Sequence, residues 1–172
     1  FHSLDSNLLF MSAYYGLLYR STDSGRSNTQ IANYSGSGIN EVGNWLTPWL
    51  ASPHNPDVIY AGKKSVYRSD DSGVSWNTLG TMSDTKADAI ALSATDPNTI
   101  LVAKREELWR STNGYDFTDL LNLPGETIGA VLISSSDSTE IWVSFGSYTN
   151  AIQVWVSYDG GGSWVDKSLG LQ

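Results

Sequence analysis

Six carboxylates and three arginines are the residues of this chain whose types and placement could do chemistry. Hydrolysis of a glycosidic bond needs two carboxyl groups about 5 to 10 Å apart across a bound sugar, and the candidates are Glu41, Asp84, Asp88, Glu106, Glu107 and Glu126. Glu106 and Glu107, flanked by Lys104 and Arg105, read as a solvated turn. A guanidinium fork suits a carboxylate ligand, and Arg20, Arg68 and Arg110 each stand directly before a Ser. The two histidines, His2 and His54, fall in or beside polar turns and read as surface residues. No G-x-S-x-G nucleophile pattern occurs, since Gly161-Gly162-Ser163-Trp164 lacks the closing Gly. With no Cys in the chain, a disulfide framework and a thiolate metal site are both excluded.

These residues sit on a repeat. Ser69-Asp70-Asp71-Ser72-Gly73-Val74-Ser75-Trp76 returns as Ser157-Tyr158-Asp159-Gly160-Gly161-Gly162-Ser163-Trp164. A third copy, Ser21 to Ser27 with Asp23 and Gly25, has Asn28 where the others have Trp. A fourth is worn: after Ser111 comes Asn113 in place of Asp, and Tyr115 stands at the Gly position. The opening serines recur at intervals of 48, 42 and 46 residues, the period of propeller blades or a similar array. A tight turn needs a residue tolerant of positive φ (Gly25, Gly73, Gly161) and a short acceptor for its own amides (Asp23, Asp71, Asp159). Trp76 and Trp164 are expected to bury their rings between neighbouring blades. Calcium ligation through Asp70 and Asp71 lacks the further carboxylate at a fixed offset that a calcium loop shows, so no metal or cofactor is expected.

The pattern S-x-D-x-G-x-[ST]-W resembles the Asp box, or BNR repeat, of sialidases, sortilin-type receptors, xyloglucan-cleaving hydrolases and secreted bacterial propellers. The resemblance covers nearly the whole chain and implies an all-β fold of about four four-stranded antiparallel blades, with the box as a hairpin device away from the active face. It also raises the three-arginine clamp of sialidases. Arg20, Arg68 and Arg110 all occupy one repeat position, however, and no Arg-Ile-Pro segment is present. Those arginines therefore read as parts of the blade.

The elements that must position any site follow from the alignment of the repeats. Residues 45–52, 87–94 and 127–134 read as innermost strands, residues 8–13, 58–62, 99–103 and 140–145 as second strands, and residues 17–20, 65–68, 108–110 and 152–156 as third strands running into the boxes. The blades span approximately 1–40, 41–83, 84–124 and 125–172, the first lacking much of its inner strand. The chain is expected to be part of a propeller of six to eight blades, with the remaining blades of the same polypeptide as its partners. A net charge of −8 without a basic cluster argues against nucleic acid, and no apolar run approaches the ~20 residues of a membrane span.

Function is sought where the repeat is broken, because a residue present in every blade serves the blade. Strand parity puts the boxes at one end of each blade and two insertions, residues 34–44 and 146–150, at the other. The expected ligand face therefore carries Tyr14, Tyr15, Tyr34, Glu41, Asn44, Tyr148 and Asn150. The expected function is a noncatalytic propeller segment of a secreted or cell-surface bacterial protein, presenting a protein- or glycan-binding face. The alternatives are part of a glycoside hydrolase and a structural spacer.

Overall fold

The computed structural model describes residues 5–34, 38–121, 123–146 and 153–170. The chain is all-β and forms four antiparallel sheets. Among the described residues the first has three strands, β1 (Leu9–Ala13), β2 (Leu17–Ser21) and β3 (Thr29–Ala32). The second holds β4 (Trp49–Ala51), β5 (Ile59–Gly62), β6 (Val66–Ser69) and β7 (Asn77–Leu79), and the third β8 (Ala89–Leu92), β9 (Ile100–Lys104), β10 (Glu107–Ser111) and β11 (Thr118–Asp119). The fourth is β12 (Ile128–Ile133), β13 (Ile141–Phe145), β14 (Val154–Ser157) and β15 (Val165–Asp166). Register is the same in all four: Leu9, Ile59, Ile100 and Ile141 each pair with the serine that opens the following turn. Among the described residues no helix is long and apolar enough to cross a membrane.

Period-two alternation sends successive strand residues to opposite sheet faces, and in the second and third sheets both faces are apolar because each is sandwiched between neighbours. Ile59 and Ala61 pack against Leu18, Ile31 and Ala32 of the first sheet, while Tyr60 and Val66 pack against Ile90, Ile100 and Val102 of the third. Leu101, Ala103 and Leu108 then meet Ile128, Ile141 and Val143 of the fourth. The core is thus three seams, one per pair of adjacent sheets, and each buried aliphatic side chain contributes about 1.5 to 3 kcal/mol. On the fourth sheet, Leu132, Trp142 and Val154 line a shallow apolar depression of about 220 Å³. Trp142 holds the repeat position of Tyr60 and Leu101, which the next sheet covers.

The repeated turns are closed by their own side chains. Ser69 Oγ accepts from Gly73 N at 2.7 Å and Asp71 N at 3.3 Å, and donates to Asp71 Oδ1 at 2.8 Å. Asp71 also accepts from Ser75 N at 2.8 Å and Ser75 Oγ at 2.6 Å. The sets around Ser21 and Ser157 repeat this geometry. Led by the Ser75 hydroxyl and then its amide, these bonds hold the Asp71 carboxyl at about 2 against an ordinary 3.8. Asp23 is likewise held at about 2 by Ser27, and Asp159 is lowered further by Ser163. In the worn copy Asn113 Oδ1 accepts from Tyr115 N and Asp116 N, and the positive φ falls on Gly114, one residue before the expected position. Two features went unread in the sequence: Ser24 and Ser72 also take positive φ, and the amides of Ser24, Ser72, Gly114 and Gly160 each bond a carbonyl of the preceding interstrand turn. That bond places both turns at the same end of every blade.

Arginines and tryptophans tie adjacent sheets at this end. Arg20 Nη1 donates to Ser72 O at 3.1 Å and Arg110 Nη1 to Gly160 O at 2.8 Å, each reaching the turn of the next sheet. Arg68, whose next turn is the worn one, pairs instead with Asp70 at 2.7 Å. Trp76 is half-buried against the first seam and donates from Nε1 to Ile31 O at 2.8 Å. Trp164 is half-buried against the third seam, and its Nε1 has no partner among the described residues.

Candidate functional site

At the opposite end of the sheets the backbone runs through the β1–β2 turn and the link between β3 and β4. Tyr14, Tyr15 and Gly16 form a single 3-10 turn in which Tyr15 sits at φ 60 and Gly16 at φ 80. Tyr15 N donates to Trp45 O at 3.3 Å, and Gly43 N donates to Tyr15 O at 3.1 Å. These bonds bring three aromatic rings together. Tyr14 and Trp45 stack with centroids 5.6 Å apart and planes 17° from parallel, and Tyr15 meets both edge-on at 5.7 and 5.3 Å. The cluster faces solvent, Tyr14 being 52% and Trp45 62% exposed. Ser12, Ala13, Tyr14 and residues 45–49 line a cavity of about 430 Å³ beside it.

The sequence reading found Tyr14 and Tyr15 and missed Trp45, which it placed inside an inner strand over residues 45–52. The strand is Trp49–Ala51, and Trp45 lies in a bend of the link. Tyr34 is exposed, with its amide bonded to Asn33 Oδ1. Two other expected ligand-face residues are engaged within the fold. Glu41 accepts from Ser65 N and Ser65 Oγ, both at 2.8 Å, and Asn44 Nδ2 donates to Ala87 O at 3.0 Å and Asp88 Oδ1 at 2.6 Å. Tyr148 and Asn150 lie outside the described residues, as does His2. His54 hydrogen-bonds Ser93 O through Nε2.

The expectation of a solvated turn at Glu106 and Glu107 holds at Glu106, which is exposed in a turn, and needs correction at Glu107, which opens β10. Lys104 is wholly buried and donates to Lys64 O at 2.5 Å and Ser83 O at 2.7 Å. Glu107 is half-buried and accepts from Ser83 Oγ and Trp109 Nε1. Lys63 holds the equivalent repeat position, is wholly buried, and donates to Asn33 O and Glu41 O, both at 2.8 Å. Burial lowers the Lys63 ammonium to about 8 from 10.5, with Glu41 opposing the shift, and burial lowers Lys104 as well. The pairs Glu41–Ser65 and Ser83–Glu107 are the same contact one blade apart with acid and hydroxyl exchanged.

Glu41 and Asp84 both line a second, polar cavity of about 250 Å³. Lys64 pairs with Asp84 at 2.7 Å, and this bond and charge hold the Asp84 carboxyl below its ordinary value. A carboxyl so held stays ionised at neutral pH and is a poor proton donor. Among the described residues no group of three or more His, Asp or Glu side chains is placed to hold a metal ion.

No family model matches this sequence, and no curated protein does. Solved structures do. The GH74 xyloglucanase from Xanthomonas campestris superposes with a TM-score of 0.76 at 17% identity, over 100% of this chain and 30% of that one. The GH74 enzyme of Niastella koreensis gives 0.72 at 20% identity, over 95% and 28%. YCF48 from Cyanidioschyzon merolae gives 0.60 at 15% identity, over 93% and 55%. The fold is a partial β-propeller. The chain spans less than a third of the length of these GH74 enzymes, and at such identities the likeness is one of fold alone.

Proposed function

We propose that this chain is a noncatalytic part of a larger, glycoside-hydrolase-like propeller and presents a glycan-binding surface at the link end of its blades. The observation that carries the reading is the solvent-exposed stack of Tyr14 on Trp45, with Tyr15 at its edge, beside an open cavity. Flat aromatic faces take up the apolar faces of sugar rings, and a preassembled cluster pays little ordering entropy on binding. The likeness of fold to a xyloglucanase suggests an extended plant glycan as the first ligand to try. Because Asp84 is held ionised by Lys64 and Glu41 is engaged by Ser65, neither is read as the acid that hydrolysis needs, and the chain is read as supplying binding. The side-chain bonding of the repeated turns supports their reading as Asp boxes. The same proposal places the protein outside the cell and assigns the apolar face of the fourth sheet to a further blade of the same polypeptide.

Calorimetric titration with xyloglucan oligosaccharides tests this. Saturable binding is expected, and Tyr14→Ala or Trp45→Ala should weaken it by at least about tenfold, equivalent to about 1.4 kcal/mol. Binding untouched by both substitutions, or release of reducing ends from the glycan, would overturn the reading.

A further inference from the structure

We propose that Lys63 positions the aromatic platform, acting from beneath it on both the link and the tyrosine turn. The functional consequence rests on the glycan-binding reading, whereas the positioning role does not. The Lys63 amine bonds Asn33 O and Glu41 O, so a single side chain staples together two points of the link eight residues apart. Beyond Glu41 the same link supplies Gly43 and Trp45, which hold the peptide of Tyr15 from its two sides. The stem of Lys63 fills the space under the turn: a Cβ on Gly16 would lie 2.8 Å from Lys63 Cε and 3.0 Å from Thr47. The tyrosine turn is therefore fixed between the link above and the lysine stem below. Such fixing is what Tyr15 requires, because an aromatic residue keeps φ 60 only where its surroundings over-determine it.

An apolar side chain of equal length would fill the slot without the cost of burying an amine. What the amine adds is the two carbonyl bonds, and these set where the link, and with it Trp45, lies. Lys104 is the internal control. Equally buried one blade on, it bonds Ser83 O, the counterpart of Glu41 O, but its second bond goes to Lys64 O of the β5–β6 turn, and among the described residues no aromatic pair forms at its own turn, Arg105–Glu106.

The test compares Lys63→Met with Lys104→Met by two readouts: the indole N–H resonance of Trp45, assigned by its loss in Trp45→Phe, and affinity for a xyloglucan oligosaccharide. Lys63→Met is expected to shift the resonance and weaken binding by about tenfold. Lys104→Met should leave both unchanged while lowering the melting temperature. Since the chain contains no Cys, Lys63→Cys can be aminoethylated with bromoethylamine in denaturant and refolded, returning an amine at nearly the same reach; it should restore both signals. An unshifted Trp45 resonance in folded Lys63→Met, or an equal shift in Lys104→Met, overturns the proposal. Should Lys63→Met not fold, Lys63→Arg keeps a buried cation but seats its donors at a different reach; a displaced Trp45 resonance supports the proposal and an unmoved one overturns it. The resonance needs no ligand, so a wild-type protein that binds no glycan would sink the binding reading alone.

Discussion

Ser69 is the hub of its turn: its hydroxyl accepts two amides and donates to a carboxylate while wholly buried. Ser69→Ala leaves the buried Gly73 amide without a partner and should cost about 1 to 3 kcal/mol in urea unfolding. Ser75→Ala, at an exposed hydroxyl of the same network, should stay within about 0.5 kcal/mol. The Asp71 carboxyl has a definite pH sign. Its folded value, about 2, lies below the ordinary 3.8, so its stabilisation is complete above that value and is lost as pH falls through the folded one. Unfolding measured at pH 5 and at pH 2.5 should show that loss, and Asp71→Asn should reduce it by one carboxylate's share, Asp23 and Asp159 keeping theirs. These residues were legible in the sequence because a recurring spacing exposes them. Lys63 and Lys104 recur as well, at one repeat position, but a lysine is read as solvated by default. Only the neighbouring sheet, which no local pattern encodes, buries them.

At the scale of the element, a glycine of the repeated turn also serves the seam. Gly73 and Gly125 both have positive φ, so Ala at either one carries the left-handed penalty of about 1 to 2 kcal/mol. A Cβ at Gly73 would overlap Ile31 of the first sheet, whereas at Gly125 it meets nothing. Gly73→Ala should therefore exceed Gly125→Ala by about 1 to 3 kcal/mol, the cost of overpacking, in parallel denaturant titrations. Second and third strands were read from the sequence nearly to the residue, since β-branched runs end in turn residues there. The inner strands were drawn too long, most of all over residues 45–52. Apolar Trp45 and Leu46 mimic strand interior, yet both are solvent-exposed, and Trp45 belongs to the candidate site.

Across the whole molecule, interior blades are covered on both faces and the fourth sheet shows one face open among the described residues. Leu101→Ala, within the third seam, should cost about 2 to 5 kcal/mol. Leu132→Ser, on the open face, should change stability by no more than about 0.5 kcal/mol. The ties between sheets are unevenly placed. The first seam is held at both ends, by Arg20 among the turns and Lys63 among the links. The second has Lys104 at the link end and, because its arginine is spent on Asp70, the His54 ring on Ser93 O among the turns. The third has Arg110 at the turn end and, with Phe145 in the lysine position, the backbone bond from Ile128 N to Arg105 O at the other. Under a bending load, then, the first two sheets, clamped by a cationic side chain at each end, should move as one plate, and the second and third seams should yield before the first. The aromatic platform rides on that plate, the stiffest part of the arc.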